Sequence, residues 1–234
     1  SHPELLEYLA AQLRECESIK QLHRLIVTSA TYRQTSTAEP TLAAAAEPVD
    51  AENHFYWRMN RRRLEAEAVR DAVLQAAGRL NLHMGGPSFQ DFVIDKPEHS
   101  PHYEYHLHDP TDPSSHRRAV YRFVVRSQTQ PFLTVMDCAD PSMLVAKRNV
   151  TISPLQSLAL LNNQLMLVMA SECANQAEEV GTTIEQQVTS AFRNALSRDP
   201  SAAELSALSQ YANNHGLANT CRVIYNLNEF VFID

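Results

Sequence analysis

Apolar positions recur along much of the chain with the three-to-four-residue period of helices that bury one face. In PELLEYLAAQL, Leu5, Leu6, Leu9 and Leu13 share a side, and after Ser18 the same holds for Ile19, Leu22, Leu25 and Ile26. These two segments predict a helical hairpin. The starts are legible because Ser or Thr followed three residues later by Glu or Gln satisfies two orphan backbone donors reciprocally. The signature occurs at Ser1 with Glu4, Ser18 with Gln21, Ser153 with Gln156, Thr183 with Gln186 and Ser201 with Glu204. Pro154, at a first helical position where its missing N–H costs nothing, opens PLQSLALLNNQLMLVMASECANQ, which reads as one long helix. Ile184, Val188, Ala191, Phe192, Ala195 and Leu196 mark the next helix. Leu205, Leu208 and Ala212 mark another, and Val223, Ile224, Leu227, Phe230 and Val231 a last one.

Between these segments the pattern breaks. Residues 34–53 carry prolines and small side chains and predict an exposed connection. From residue 50 the chain turns helical, with Leu64, Ala68, Val69, Ala72, Val73, Ala76 and Leu80 as its stripe, until Gly85, Gly86 and Pro87 stop it. Prolines 87, 97, 101, 110 and 113 exclude long regular structure through 87–118. RAVYRFVVR leans to a short strand or extended segment on propensity, although Val120, Tyr121, Val124 and Val125 also suit a buried helical face. The fold class expected is therefore mainly α: one domain over 1–234, an irregular helical bundle with a proline-rich, largely non-helical middle and at most one or two short strands.

Composition agrees, with 44% apolar residues, 20% charged residues and only five glycines in 234. A formal net charge of −7 argues against nucleic acid, whose sequence-independent binding rests on Lys and Arg neutralising phosphates. No run approaches the roughly 20 apolar residues of a transmembrane helix. Cys16, Cys138, Cys173 and Cys221 are widely spaced, with no C-x-x-C or C-x-x-C-H signal. Covalent haem is therefore not expected, and free buried thiols are preferred to a disulfide.

The charged face of RMNRRRLEAEAVRD offers Arg61–Glu65 and Arg63–Glu67 at i,i+4 and Glu67–Arg70 at i,i+3. Arginines crowding a first turn oppose the helix dipole and call for partners. Asp137 and Asp140 in MDCADP, Glu67 and Asp71 can supply them, joined by Arg117 and Arg118. The candidate polar cluster is thus Arg62, Arg63, Glu67, Arg70, Asp71, Arg117, Arg118, Asp137 and Asp140, read first as a structural salt-bridge core and second as an anion or substrate site. Asn162 and Asn163, inside an apolar helix, read as a local break or as a pair bonding a neighbouring loop; Asn226 and Asn228 invite the same reading.

The stretch HSPHYEYHLHDPTDPSSH gathers His99, His102, His106, His108 and His116. Its prolines remove helical ligand spacing. If YEYHLH is extended, His106 and His108 share a side with Glu104, and with Glu104, Asp109 or Asp112 they offer zinc or another divalent ion a weak site. His102, His106 and His108 are the metal candidates. No cofactor is otherwise expected.

SHPELLEYLA, LHRLIVTSATYRQ, NRRRLEAEAVRDAVL, MGGPSF, RRAVYRFVVR, DCADPS, SPLQSLALLNN and LNEFVFID, in this order from Ser1 to Asp234, resemble the planctomycete PSD-one family, a domain of unknown function. The resemblance implies the carboxy-terminal module of a large exported protein, periplasmic or at the cell surface, whose upstream partner domains often include a cytochrome c-like one; the family pattern usually begins before Ser1. It implies no reaction. The expected function is that of a structural or ligand-binding module. The alternative is part of an active site for polysaccharide or sugar-derived substrates, with carbohydrate as partner and metal assistance open.

Overall fold

Two of the first three helices start where a side chain closes an orphan N–H. The computed structural model of the chain describes residues 2–95 and 100–233, and places them in two compact units: one holds the described residues up to Arg62 with Phe232 and Ile233, the other Arg63–Val231. In the first unit α1 (Pro3–Cys16) and α2 (Ile19–Thr28) make the expected hairpin, turned by Glu17 in the left-handed conformation (φ 48°) and restarted by Ser18, whose hydroxyl accepts from the Gln21 N–H. Ser1 lies outside the described residues; α1 begins at Pro3, with His2 at its cap position.

The segment expected to be a bare connection contains α3 (Pro40–Ala46), because the Glu39 carboxylate accepts from the Leu42 N–H and Pro40 presets the first turn. A polar knot follows. Asp50 accepts from the N–H groups of His54 and Phe55, both at 2.8 Å, and its carbonyl takes the Trp57 indole N–H at 2.9 Å. Asn53, 3% exposed, donates to the Arg58 carbonyl at 2.7 Å. Asn53 and Tyr56 both take positive φ, so side-chain hydrogen bonds, not packing, set this chain path. That is why the long helix predicted from residue 50 does not form there.

The second unit is helical around α4 (Ala66–Ala76), α7 (Gln164–Val180), α8 (Ile184–Leu196), α9 (Ala202–His215) and α10 (Leu217–Tyr225). Val69, Val73, Leu74, Met166, Met169, Val188, Phe192, Ile224 and Tyr225 are its fully enclosed core. The reciprocal caps at Ser153, Thr183 and Ser201 are all formed. α4 is shorter than expected at both ends. Arg62 and Arg63 form the short strand β1 instead of a first turn, and Glu65 precedes the helix with Glu67 inside it, as the dipole favours. It ends at Ala77 and Gly78 (φ 62°), well before Gly85.

The long helix is divided into α6 (Pro154–Asn162) and α7 at Asn163, whose ψ of 139° leaves the helix while its side chain caps Leu165 N. The Leu161 carbonyl at that break takes two bonds from Arg222, at 3.0 and 2.8 Å. The last helix is likewise split, into α10 and α11 (Asn228–Val231), with Asn226 at the join.

The middle is irregular, as the prolines dictate. It holds β2 (Val93–Asp95) antiparallel to β3 (His102–Glu104), in the register Val93 to Glu104 and Asp95 to His102, and single 3-10 turns at Tyr105–Leu107, Pro113–Ser115 and Ala119–Tyr121. RAVYRFVVR is thus a turn followed by extended chain, because Phe89 bridges it on both sides: Phe89 N to Tyr121 O at 3.0 Å and Phe123 N to Phe89 O at 2.8 Å. α5 (Pro131–Val135) closes the segment, and β4 (Phe232–Ile233) ends the described chain. The mainly α class holds, with strands of only two or three residues.

Candidate functional site

The predicted polar cluster separates into three structural latches and one pocket wall. The first latch is Arg63, whose guanidinium donates to Asp137 Oδ2 at 3.1 Å and to the Thr151 carbonyl at 2.7 Å. Asp137, held at φ 66° just after α5, also accepts from Thr151 N at 2.8 Å and from the Gln156 amide at 3.1 Å. Burial opposes ionisation of this carboxyl, but the Thr151 and Gln156 donors and Arg63 outweigh it and hold its pKa below the usual range. The latch fastens the end of α5 to the start of α6.

Arg70 is the second. It is 4% exposed, reaches the carbonyls of Ser115 at 2.5 Å and Arg117 at 3.0 Å, pairs with Asp71 at 3.3 Å and lies over the Phe89 ring at 5.0 Å. Burial lowers the Arg70 pKa and raises that of Asp71; Asp71 in turn accepts from Ala119 N at 2.8 Å. The third is Arg117, which donates to the carbonyls of Pro87 (2.5 Å), His83 (3.3 Å) and Gly85 and stacks on Tyr121 at 4.2 Å. Carbonyls that a helix or sheet would otherwise satisfy are satisfied here by guanidinium groups, so the irregular chain is held to α4 without regular structure.

The remaining members stand apart. Arg62 and Arg118 are exposed, Arg118 contributing to the field at Asp71. Asp140 turns onto its own loop, accepting from Ser142 N at 2.8 Å and Ser142 Oγ at 2.7 Å.

Glu67 forms the pocket wall together with two residues the sequence pattern did not single out as site members. Arg148 clasps its carboxylate, Nη1 to Oε2 at 2.6 Å and Nη2 to Oε1 at 3.0 Å, and the Cys138 thiol donates to Oε1 at 3.5 Å. Burial and the Glu67 charge push Cys138 up to about 11, so it keeps its proton. Glu67, despite burial, is held below the usual carboxylate range by Arg148. A pocket of ≈180 Å³ opens beside them, lined also by Arg122, Val125, Gln130 and Leu133. Behind Arg122 lies Asp91, at 3.5 Å with both side chains 9% exposed. No hydrogen bond reaches Asp91 Oδ1 among the described residues. Arg148 and Arg122 sit in non-periodic segments, which is why spacing did not reveal them.

The histidines do not converge. YEYHLH is not extended: it leaves β3 into a 3-10 turn, which takes His106 and His108 off a common edge. His106 is exposed, with Nδ1 3.2 Å from Glu104; His102 is exposed in β3, and His99 lies outside the described residues. His108 is half-buried, and burial lowers its pKa against the opposing pull of Asp91, Asp112 and Asp109. His116, buried, bonds the Pro110 carbonyl at 2.9 Å. No group of three or more His, Cys, Asp and Glu among the described residues is placed to hold a metal ion. No helix among them is long and apolar enough to cross a membrane.

The model of the family described as PSD1, protein of unknown function (DUF1553), matches residues 1–212, which leaves LNEFVFID beyond the match. No curated protein and no solved structure matches the chain.

Proposed function

This chain belongs to the PSD1 family of proteins of unknown function (DUF1553), and on that premise we propose that it is a ligand-binding module, working within the larger exported protein that the resemblance implies. The observation that carries this is the pocket at Glu67, Arg148 and Cys138, whose walls are set in advance. Ligand sites are typically concave and preformed, with a few fixed polar groups among apolar ones. Here Val125 and Leu133 supply the apolar lining, while Gln130, Arg122 and the Glu67–Arg148 pair supply the polar groups.

The protonation states favour binding over proton transfer. A general base works best with a pKa near the operating pH, whereas Glu67 is held low and the Cys138 thiol high. With Glu67 matched by Arg148, Arg122 facing Asp91 and Asp140 turned onto Ser142, the ligand class that suits the pocket is small, polar and uncharged or zwitterionic, a single sugar ring among them. The test is a protein-observed NMR titration with monosaccharides, disaccharides, amino acids and small polyols. Saturable shifts at the amides of Gln130, Cys138 and Ala139, weakened in Arg148→Met, are expected. Saturable shifts confined to other regions, or none across the panel, would sink the proposal.

A further inference from the structure

All four cysteines are free thiols, and Cys173 and Cys221 are both buried. Their placement follows from helix register. The Tyr225 hydroxyl on α10 donates to the Met169 carbonyl on α7 at 3.4 Å. Cys221 lies four residues before Tyr225 and Cys173 four after Met169, so each is one helical turn, roughly 6 Å of rise, from that bond. For two helices running in opposite directions, these displacements bring the thiols face to face, and each thiol acts on the ionisation of the other. Ala177 is buried one further turn along the row of Met169 and Cys173, and a disulfide needs a short Cα separation.

We propose that Cys173 and Cys221 are an oxidation site that forms a disulfide joining α7 to α10. Two S–H bonds break and one S–S bond forms. A low-molecular-weight disulfide such as oxidised glutathione accepts the two electrons and two protons and leaves as two thiols. The other cysteines are not equivalent: Cys16 belongs to the first unit, and the Cys138 thiol is bonded to Glu67. The closed loop contains α8 and α9, so the cross-link restricts the unfolded chain over a long span.

The test is refolding of the whole chain from denaturant in a glutathione redox buffer at equilibrium, followed by alkylation, proteolysis without reduction and mass spectrometry. The expected result is one linked peptide pair containing Cys173 and Cys221, with Cys16 and Cys138 alkylated, and a melting temperature higher than that of the reduced protein by roughly 5–10 °C. Cys221→Ser removes both the link and the increment. Alkylation of Cys173 and Cys221 after equilibration, their capture as glutathione adducts, or a link between a different pair overturns the proposal. The peptide map of the unaltered chain decides this whether or not the variant folds.

Discussion

Arg148 grips Glu67 with both guanidinium prongs, at 2.6 and 3.0 Å, across 81 residues of sequence. The pair ties the loop between α5 and α6 to the first turn of α4 and sets the charge that the Cys138 thiol experiences. Arg148 is more than a third exposed, so solvent screens the pair and its stabilising contribution is about 1 kcal/mol or less. Its electrostatic effect on the neighbouring thiol is the larger consequence.

Glu67→Gln is therefore expected to change reactivity more than stability. Removing the carboxylate leaves burial as the main force raising Cys138 above its ordinary value and lets Arg148 favour the thiolate. The thiol pKa falls from about 11, and alkylation of Cys138 by iodoacetamide at mildly alkaline pH becomes several-fold faster. Peptide-resolved alkylation rates measure this. An unchanged or slower rate would show that Glu67 does not control the thiol.

Arg70→Met is expected to cost about 3–5 kcal/mol, the usual consequence of deleting one partner of a buried charge system. It abandons the Ser115 and Arg117 carbonyls and leaves the half-buried Asp71 without its paired guanidinium. Arg118→Ala, at an exposed position, stays within about 0.5 kcal/mol. Denaturant midpoints of the two variants separate a latch from a solvated charge; equal midpoints would remove the distinction.

Why the sequence revealed the arginines but not their roles follows from these partners. Capping pairs act over three residues, so Ser153 with Gln156 and Thr183 with Gln186 announce their helices in any sequence. The guanidinium of Arg70 acts on carbonyls 45 and 47 residues away, and a carbonyl carries no residue identity to recognise. The same holds for Arg222 on Leu161. Asp137 is one of four acids that the sequence offers to Arg61, Arg62 and Arg63 together, and the chain gives it Arg63. Glu67 was offered Arg63 and Arg70 because they are near in sequence, while the chain gives it Arg148. Apolar spacing alone runs through Asn163 as one helix, whereas the amide pair signals the break that the structure shows there, with the Asn163 side chain capping α7.

His108 gives a pH dependence whose sign is fixed. Burial lowers its folded-state pKa below the ordinary 6.5, so in the unfolded chain it binds a proton that the folded chain refuses. Stability is then fully present above about pH 6.5 and declines as pH falls from there towards the folded pKa. Asp137, also lowered, adds a separate loss below about pH 4. Urea midpoints from pH 7.5 to 5 should fall in the native chain and flatten in His108→Gln. A midpoint that rises on acidification would contradict the burial of this ring.

The end of α4 rests on Gly78, and its replacement separates backbone strain from crowding. At φ 62° an alanine pays the left-handed cost, roughly 1 kcal/mol. Its Cβ would also stand 1.9 Å from the Gln176 amide nitrogen and 2.7 Å from Cδ. That amide is the far end of a flexible side chain and can swing aside, so crowding adds less than the backbone does. Gly78→Ala is expected to lose about 1–2 kcal/mol, and in a Gln176→Ala background the loss shrinks to the backbone part alone, about 1 kcal/mol. A double-mutant cycle on urea midpoints reads the difference directly. A neutral Gly78→Ala would mean that the left-handed backbone at Gly78 is not what stops α4.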